Sequence, residues 1–449
     1  MDKILINSPY LVKSILINIY GFFLARKRFS GTFKRWFGIY IGNLEKKPAR
    51  IRLEQFELLK KNVIYCYEQI PYYKRLFDDI KFDPYSIESV KDIQRIPFLT
   101  KDIIRKEFDN LYNKNIPSKN YSLHSTSGST GEKLSFLLPN ELLYKKNTAF
   151  LYRFYHMWGI KPKDRRVTIG GRVFTHKAPF WVFNIFENQL LLSSHHLGND
   201  TVSLYVNKIE SFKPAFIQGH PSAILVMSKY ILDRDRELKV NIKVIFTTGE
   251  TLIEEDKKII EKAFNCPVAQ QYGSGENCFS SQQGPDDIGY LINYEHGFIE
   301  LIGEGDLKEV VVTSLQNDVM PFVRYKMNDY VKVSNERYSS RYGLPILFDE
   351  VVGRTDDIIM LKNGSSILPV TIRMNIKPLL SKGTNYQLIQ IAAEEFNLNL
   401  LDPNRELNTN DFRFTLRKLL GEDVEIHIFY PDSLISLGGK IRNIIRNKR

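Results

Sequence analysis

The sequence predicts an α/β protein with a large multi-layer α/β N-terminal domain and a small α+β C-terminal domain. First, the length of 449 residues exceeds what one compact core usually supports. Second, short β-branched segments alternate with helical segments from about residue 165 to residue 315, which is typical of a mainly parallel, layered sheet. Third, the last hundred residues change to a pattern of hairpin, helix and strand.

The elements follow in order along the chain. Apolar residues recur at intervals of three and four over 52–70, which predicts a helix that stops before Pro71. Strands are predicted at 165–171, 214–220, 243–250 and 309–315, and helices at 221–235 and 254–265. Because ligands bind at loops beyond the ends of parallel strands, residues 247–252 and 270–276 are candidate binding loops.

The C-terminal segment predicts a separate small unit. "DDIIMLKNGSSIL" predicts a hairpin that turns at Asn363 and Gly364, followed by helix, strand, helix and the strand "VEIHIFY". A strand pattern breaks at "GRTDD" (353–357). The expected division is therefore a basic helical arm at 1–50, a large α/β domain at 51–354 and a small α+β domain at 355–449.

Charge and cysteine content limit the class of protein. There are 63 Lys and Arg against 51 Asp and Glu, and residues 1–50 carry ten basic residues against two acidic ones. A basic arm can meet nucleic acid, anionic lipid or an anionic substrate, and charge alone does not choose among them. Three cysteines without paired spacing argue against disulfides and thiolate metal sites, and fit a cytoplasmic setting.

The segment "ILINIYGFFLARKRF" (15–29) contains an apolar run that is too short to span a bilayer. Its charge cluster follows the run, whereas a secretory signal carries its charge before the run. The segment fits an interfacial helix on an anionic membrane and, equally well, a helix packed on the protein. We therefore expect a cytoplasmic protein, with peripheral contact with the inner face of the membrane as the open alternative.

A loop of small residues, "HSTSGSTGEKL" (124–134), has the chemistry of an anion cradle. Its glycines let backbone N–H groups approach phosphate oxygens, and its hydroxyls add donors without bulk. It is not a Walker A loop, because Gly131 is followed by Glu132. Taken alone, the loop is equally compatible with a flexible surface turn.

Six short motifs occur in a characteristic order: "TSGSTG", "TTGETL", "QQYGSGE", "RYKMNDY", "GRTDD" and "LGGKIR". In this order and spacing they resemble the adenylate-forming enzymes, the family of acyl-CoA synthetases, luciferases and adenylation domains. "YCYEQIPYYKRLF" and "DIQRIPFLTKDIIRKEF" resemble the phenylacetate–CoA ligases. "LINIYGFFLARKRFSGTFKRW" resembles the CapK-like branch, which is associated with capsular and other surface polysaccharide synthesis.

The resemblance implies that a carboxylate attacks the α-phosphate of ATP, that pyrophosphate leaves, and that the acyl-adenylate passes to a second nucleophile. It assigns the β- and γ-phosphates to Thr126, Ser127, Gly128, Ser129, Thr130 and Gly131. The adenine pocket is assigned to Tyr272 and Gly273 with Thr248, Gly249 and Glu250.

The remaining assignments concern magnesium, the ribose and catalysis. Glu276 is the implied Mg²⁺ ligand, Asp329 the acceptor of both ribose hydroxyls, and Arg354 a neighbour of ribose and phosphate that assists catalysis. Lys440 is the implied catalytic lysine, and Asp356 is the implied pivot of a mobile lid. Asp329 at a strand end, Arg354 in a surface ion pair and Tyr272 in the core are the structural alternatives.

Some positions depart from the family pattern. Lys133 and Leu134 stand where many members have proline and lysine, and Gly275 replaces a threonine or serine before the glutamate. Some relatives carry a zinc site of Cys and His. Cys278 is present here, but Leu291 stands where a histidine is expected, so we expect no zinc.

The acyl pocket is the least readable part of the sequence. Residues 170–174 and 218–224 are expected to wall it, with Arg172 or His220 meeting a polar or anionic substrate. His220 in a satisfied loop is the structural alternative.

The predicted function is ATP- and Mg²⁺-dependent adenylation of a carboxylic acid, followed by acyl transfer to coenzyme A, in metabolism related to surface polysaccharide. One alternative is an AMP-producing ligase that joins an amine to a sugar acid or amino acid. The other is a non-catalytic ATP-binding scaffold protein on the membrane. The expected partners are a small carboxylate and coenzyme A or an amine, without nucleic acid.

Overall fold

The computed structural model describes most of the chain. The described residues are 8–126, 134–171, 177–198, 200–333, 335–354, 359–362, 366–367, 369–381, 384–402, 404–434, 436–437, 440–441 and 443–446.

Helices cover the N-terminal part of the chain and the faces of the sheets. They are α1 (Tyr10–Phe29), α2 (Phe33–Gly42), α3 (Pro48–Gln69), α4 (Pro71–Asp79), α5 (Val90–Ile93), α6 (Lys101–Lys106), α7 (Asn147–Met157), α8 (Val202–Phe212), α9 (Pro221–Leu232), α10 (Glu254–Phe264), α11 (Pro369–Ile376) and α12 (Thr409–Leu420). The predicted helices at 52–70, 221–235 and 254–265 correspond to α3, α9 and α10. Pro71 lies in the first turn of α4, where the missing N–H of proline costs nothing.

Twenty-four strands are assigned in the described part of the chain. The first fifteen are β1 (Tyr121–Thr126), β2 (Leu134–Pro139), β3 (Arg166–Gly170), β4 (Trp181–Asn184), β5 (Gln189–Ser193), β6 (Phe216–Gly219), β7 (Val244–Thr248), β8 (Val268–Gly273), β9 (Ser280–Gln283), β10 (Tyr290–Ile292), β11 (Gly297–Ile302), β12 (Leu307–Ser314), β13 (Tyr325–Lys332), β14 (Arg337–Tyr338) and β15 (Pro345–Ile346). The others are β16 (Glu350–Arg354), β17 (Ile359–Met360), β18 (Ser366–Ile367), β19 (Asn385–Ala392), β20 (Glu395–Leu401), β21 (Glu425–Phe429), β22 (Ser436–Leu437), β23 (Lys440–Ile441) and β24 (Ile444–Arg446).

The largest sheet has ten strands in the order β14-β15-β10-β9-β8-β7-β6-β3-β5-β4. Its centre is parallel, because β8, β7, β6, β3 and β5 run in one direction. Both edges are antiparallel, at β4 and from β9 outward. The α/β prediction is confirmed, and the carboxyl ends of the parallel strands meet at one edge.

A second, four-stranded antiparallel sheet has the order β11-β12-β13-β16. It contains "EVVVTSL", which the sequence assigned to the parallel sheet, so that placement was wrong. The valines of β12 are buried on both faces, and such a strand reads as a continuous apolar run whichever sheet it joins. The side chains of β13 alternate between buried and less buried positions.

The C-terminal part has its own sheet, β21-β20-β19-β24, and its own apolar core, which includes residues from Ile359 to Ile444. β17 pairs with β18 in the register Ile359↔Ile367, as the predicted hairpin requires. The predicted domain limits remain predictions. Asp256 of α10 is 1% exposed and forms ion pairs with Arg373 of α11 (2.7 Å) and with Lys377, which connect the C-terminal part to the large sheet.

A buried ion pair ties the N-terminal helices to the large sheet. The Arg153 guanidinium, from α7, donates to both carboxylate oxygens of Glu295 at 2.7 and 2.9 Å and to the carbonyl oxygen of Tyr40 in α2 at 3.3 Å. It also contacts the Asn293 amide oxygen. Arg153 is completely buried, so these acceptors replace water as partners of its charge.

Helix α1 packs on the edge strand β4 of the large sheet. The Asn18 amide nitrogen donates to the carbonyl oxygen of Phe183 at 2.9 Å, and the Ile185 N–H donates to the Asn18 amide oxygen at 2.9 Å. Arg28 forms an ion pair with Glu187 at 2.7 Å. The sequence was compatible with a helix packed on the protein and with an interfacial helix on a membrane. In the structure the helix is packed on the protein, and contact with a membrane remains a prediction.

Candidate active site

The candidate site lies at the carboxyl ends of the parallel strands. Thr248 ends β7 and Gly273 ends β8, and β7 pairs with β8 from Ile245 to Thr248. Gly249 follows with φ 80°, in the left-handed region that glycine tolerates best. The predicted loops 247–252 and 270–276 therefore start from neighbouring strands, as expected for ligand-binding loops of a parallel sheet.

Tyr272 and Asp329 connect the two sheets. The Tyr272 hydroxyl donates to Asp329 Oδ2 at 2.9 Å, and Asp329 is 7% exposed. Tyr272 is on β8 of the large sheet and Asp329 is on β13 of the antiparallel sheet. In the register of β13 with β16, Asp329 stands opposite Arg354. The structure thus brings three residues predicted to bind adenine and ribose to one place.

Glu276 and Tyr325 form a second connection between the same elements. The Tyr325 hydroxyl donates to Glu276 Oε1 at 3.1 Å, and both residues are buried. Burial, and then the nearby Glu276 carboxylate, raise the pKa of Tyr325 well above its usual value, so the phenol stays protonated. Sequence reasoning missed Tyr325. It precedes Asp329 by four residues on β13, and period-2 alternation would have placed both side chains on one face.

Gly275 lies close to Thr126, the first residue of the predicted phosphate loop. A Cβ at position 275 would lie 2.9 Å from Cγ2 of Thr126, closer than real Cβ atoms approach other atoms. Thr126, at the end of β1, and the Glu276 loop are therefore in direct contact. A side chain at 275 would require the Thr126 methyl group to shift.

Left-handed residues stand beside both site carboxylates. Asn277 follows Glu276 and Asn328 precedes Asp329, each with φ 62°. Asparagine is among the non-glycine residues that tolerate this conformation best. Such backbone is common at binding sites, where the surrounding structure holds it in place.

Several predicted residues lie outside the described residues: Ser127, Gly128, Ser129, Thr130, Gly131, Lys133, Arg172 and Asp356. For Arg354 and Lys440 the structure describes the strand position alone. Lys440 is in β23 and faces Leu437 of β22 in a short hairpin. The roles of all these residues remain predictions.

His220 and Glu250 lie at the amino end of α9. The His220 ring nitrogen Nδ1 is 3.2 Å from the carbonyl oxygen of Thr248, and Glu250 accepts a hydrogen bond of 3.1 Å from the Ser222 N–H. A carboxylate at this position is favoured by the helix dipole. Both residues hold the β6 and β7 loops together.

A pocket of about 280 Å³ opens beside Tyr272, between α7 and strands β8 and β9. Its apolar lining consists of Phe150, Leu151, Phe154 and Phe279. Its polar lining carries amides, hydroxyls and one imidazole, from Asn147, Thr248, Gln271, Ser274, Asn277, Ser280, Ser281, Gln282, Asn293 and His296. No Asp, Glu, Lys or Arg is among the described residues that line it.

His296 in this pocket is a neutral imidazole. Its ring nitrogens lie 2.8 Å from Ser280 Oγ and 3.1 Å from the carbonyl oxygen of Asn277, and its ring stacks on Phe150 at 4.7 Å. Burial lowers the pKa of His296 to about 3. Sequence reasoning missed the polar lining of the pocket. The available signal was that β9 ("SSQQ") is a polar strand inside a sheet.

No group of three or more His, Cys, Asp or Glu side chains that could hold a metal ion is found among the described residues. Glu276 fits Mg²⁺, which takes one or two carboxylates together with phosphate oxygens of the substrate. Burial raises the pKa of the Cys278 thiol well above its usual value, and the absence of zinc remains a prediction.

Comparison with curated proteins identifies similar chains over nearly the whole length. No family model matches. Protein CapK of Staphylococcus aureus is 27% identical, covering 98% of both chains. The phenylacetate–coenzyme A ligase of Thermus thermophilus is 25% identical, covering 86% of this chain and 88% of the relative. The resemblance to the adenylate-forming enzymes is confirmed. These ligase relatives also confirm the prediction of an AMP-forming ligase.

Solved structures support the same fold. A structure of 2-hydroxyisobutyryl-CoA ligase in the postadenylation state, in complex with an acyl-AMP, superimposes with a TM-score of 0.65. It covers 88% of this chain and 89% of the neighbour at 17% identity. The predicted α/β fold class is thereby confirmed for this chain.

Proposed function

We propose that the protein adenylates a carboxylic acid with ATP, releases pyrophosphate and then transfers the acyl group to coenzyme A. One observation carries the proposal. The Tyr272–Asp329 and Tyr325–Glu276 hydrogen bonds bring the residues assigned to adenine, ribose and Mg²⁺ together from two sheets. Thr126, where the phosphate loop starts, touches the loop that carries Glu276.

The residues present fit ATP and Mg²⁺. Asp329 offers an ionisable two-oxygen acceptor for paired ribose hydroxyls, and Tyr272 fixes its orientation. Glu276 offers the hard oxygen ligand that Mg²⁺ prefers, and Tyr325 fixes the direction of that carboxylate. Bound Mg²⁺ neutralises charge on the phosphate oxygens. Lys440 would reach the carboxylate and α-phosphate during adenylation.

The pocket beside Tyr272 supports an uncharged acyl group. Burying a second charge in a pocket without a described ionic partner costs several kcal/mol or more, on the order of the penalty for unpaired buried ions. The amide and hydroxyl groups that line the pocket favour an acid that carries hydroxyl or amide groups. The phenylalanine side chains that line it favour a substrate with an apolar ring face. We propose a small neutral acid with both features, which includes sugar-derived acids.

Coenzyme A is the proposed acceptor, because the phenylacetate–coenzyme A ligases match most of the chain. An amine acceptor is the second candidate. The indoleacetate–lysine synthetase of Pseudomonas savastanoi is 24% identical over 53% of this chain. Similarity to CapK supports a role in surface polysaccharide metabolism, and thereby a sugar-derived acid.

The test is pyrophosphate release over a panel of acids, with coenzyme A or with amines. The panel contains matched pairs: a hydroxylated acid and its deoxy analogue, and a neutral acid and its dicarboxylic analogue. We expect the neutral, hydroxylated member of each pair to react fastest. ATP binding without pyrophosphate release for any acid would support the scaffold alternative. Fastest reaction with the dicarboxylic acids would contradict the proposed substrate class.

Proline at position 356 should separate the two half-reactions. Lys440 must be in the site for adenylation, whereas the thiol needs a path to the same carbonyl, so we propose that the lid rotates about Asp356. The neighbour 2-hydroxyisobutyryl-CoA ligase has structures in postadenylation and thioesterification states, on which this chain superimposes with TM-scores of 0.65 and 0.54. Proline fixes φ near about −65° and removes one state.

We therefore expect Asp356→Pro to keep part of the adenylation rate and to lose most acyl transfer. The two steps are measured separately, by pyrophosphate exchange and by formation of the final product. Asp356→Ala, which leaves φ free, is the matched control and should support both steps. Equal loss of both steps in a folded proline variant would show that the residue has a structural role instead.

A further inference from the structure

Helix α1 carries most of its large apolar side chains towards solvent. Lys13, Ile17 and Gly21 form the buried stripe. The polar residue Asn18 forms hydrogen bonds with Phe183 of β4 and with Ile185, which follows β4. A surface helix of a globular protein normally shows the opposite arrangement, with its apolar face on the core.

The outward face of α1 is large and apolar. Among the described residues, 21 large apolar side chains are exposed, and 11 of these lie on α1 or on the adjoining turn at Ile185 and Phe186. Their exposure includes 75% for Leu11, 59% for Ile15 and 58% for Phe23. The members of this face are Tyr10, Leu11, Val12, Ile15, Leu16, Ile19, Tyr20, Phe22, Phe23, Ile185 and Phe186. Contiguous exposed apolar surface of this kind marks an interaction site.

The face is held rigidly on the large sheet. A side chain at Gly21 would collide with Asn184, because its Cβ would lie 2.5 Å from the Asn184 amide oxygen. The rings of Phe22 and Phe186 meet edge to face at 5.2 Å. The exposed side chains therefore belong to a fixed surface, since α1 is attached along its length by close contacts and hydrogen bonds.

The distribution of charge around this face favours an anionic bilayer over a second copy of the chain as its partner. Between Tyr10 and Ala25 the chain has one charged residue, Lys13, and it is buried. Arg26 and Lys27 lie exposed in the last turn of α1, and Lys34 and Arg35 lie exposed on α2. A second copy of this chain would bring the same positive charge against it. An anionic bilayer would attract this charge and accept the apolar side chains at the level of its acyl boundary.

We propose that the apolar face of α1 docks this protein on an anionic lipid bilayer, with α1 lying in the plane of the interface. Among the residues that the structure describes, no helix is long and apolar enough to cross a bilayer. The aromatic rings of Tyr10, Tyr20, Phe22 and Phe23 suit the headgroup level, where amphipathic and aromatic side chains gather. The proposal is independent of the proposed enzymatic reaction.

The test is flotation of the full chain with two kinds of vesicle, phosphatidylcholine alone and phosphatidylcholine with phosphatidylglycerol. We expect partition onto the anionic vesicles that added salt weakens, because salt screens the attraction of the basic residues. Ile15→Asn combined with Phe23→Asn should reduce the partition coefficient by roughly tenfold or more, since two apolar side chains are lost from the bilayer. Arg26→Glu with Lys27→Glu should abolish the preference for anionic lipid.

A matched control uses the same residue types elsewhere on the surface. Ile288 and Phe414 are exposed by 80% and 72%, and Ile288→Asn with Phe414→Asn should leave partition unchanged. ATP-dependent activity and the melting temperature without vesicles show that each variant is folded. Absence of binding to both vesicles would overturn the proposal. So would a dimer in light scattering that the Ile15 and Phe23 substitutions dissociate, because a second copy would then cover the face.

Discussion

Replacing Lys440 with alanine should slow adenylation by roughly 10²–10³-fold, the scale of removing one preorganised donor from developing charge. The lysine is assigned by the "LGGKIR" motif, and in β23 it pairs with Leu437 of β22. Its proposed task is to meet the negative charge that develops between carboxylate and α-phosphate. The Tyr272–Asp329 and Tyr325–Glu276 pairs do not depend on it, so ATP should still bind.

Pyrophosphate exchange measures this effect, and calorimetric titration with ATP measures the retained binding. Lys418→Ala, an exposed lysine on α12 in the same C-terminal part, is the control and should be close to wild type. Near wild-type exchange in Lys440→Ala would show that another cation serves adenylation. Loss of ATP binding together with exchange would assign the lysine to substrate binding.

Replacing Arg153 with alanine should lower the free energy of unfolding by about 3–5 kcal/mol, the usual cost of leaving one partner of a buried ion pair alone. The Glu295 carboxylate would lose its two hydrogen bonds from the guanidinium and keep the bond of 2.6 Å from the Asn43 side chain. The remaining charge has little access to water, because Glu295 is 5% exposed. Asn293, which lines the pocket, would lose its contact with Arg153 as well.

Urea unfolding of the purified protein measures this loss. Arg236→Ala removes a partly exposed ion pair with Glu210 and should change the free energy of unfolding several-fold less. The double substitution Arg153→Met with Glu295→Leu should recover much of the loss, because no unpaired charge then remains. A loss as large in the double variant as in Arg153→Ala would show that packing volume, and not charge, determines the effect.

The sequence predicted which loops lie at the carboxyl ends of parallel strands. Thr248 and Tyr272 lie at the ends of adjacent parallel strands, and the alternation of strands and helices is visible in the residues themselves. The position of Asp329 opposite Arg354 also agrees with the motif order. The strand-end placement could be predicted because a parallel sheet brings consecutive carboxyl ends to one edge, so that chain order and spatial order agree. The roles of these residues remain predictions.

The contacts between the two sheets were beyond reach of the sequence. Tyr325 lies 49 residues from Glu276, and nothing in a single sequence gives the distance between strands of different sheets. The acyl-pocket walls expected at 170–174 and 218–224 remain a prediction, and residues 172–174 lie outside the described residues. The described pocket is lined by residues of α7, β8 and β9. A polar strand such as β9 is uncommon in a sheet interior, but its partners in α7 precede it by more than a hundred residues.

The outward face of α1 shows a different limit. The spacing of apolar residues in 15–29 was compatible with a packed helix and with an interfacial one, and the structure contains features of both. Asn18, Gly21 and Arg28 provide the packing together with the buried Ile17, while most of the bulky apolar residues remain outside. Hydrophobicity alone could not separate the two faces, because both carry apolar residues.

The closeness of Gly275 and Thr126 couples the effects of substitutions at two positions that are 149 residues apart. A serine at 275 alone would press its Cβ against the Thr126 methyl group, at 2.9 Å. Serine at 126 lacks that methyl group, so Thr126→Ser should relieve the steric strain that Gly275→Ser introduces. The energies of the two changes should therefore not add, and the order in which they are acquired matters. A serine at 275 should therefore be tolerated better when residue 126 is serine than when it is threonine.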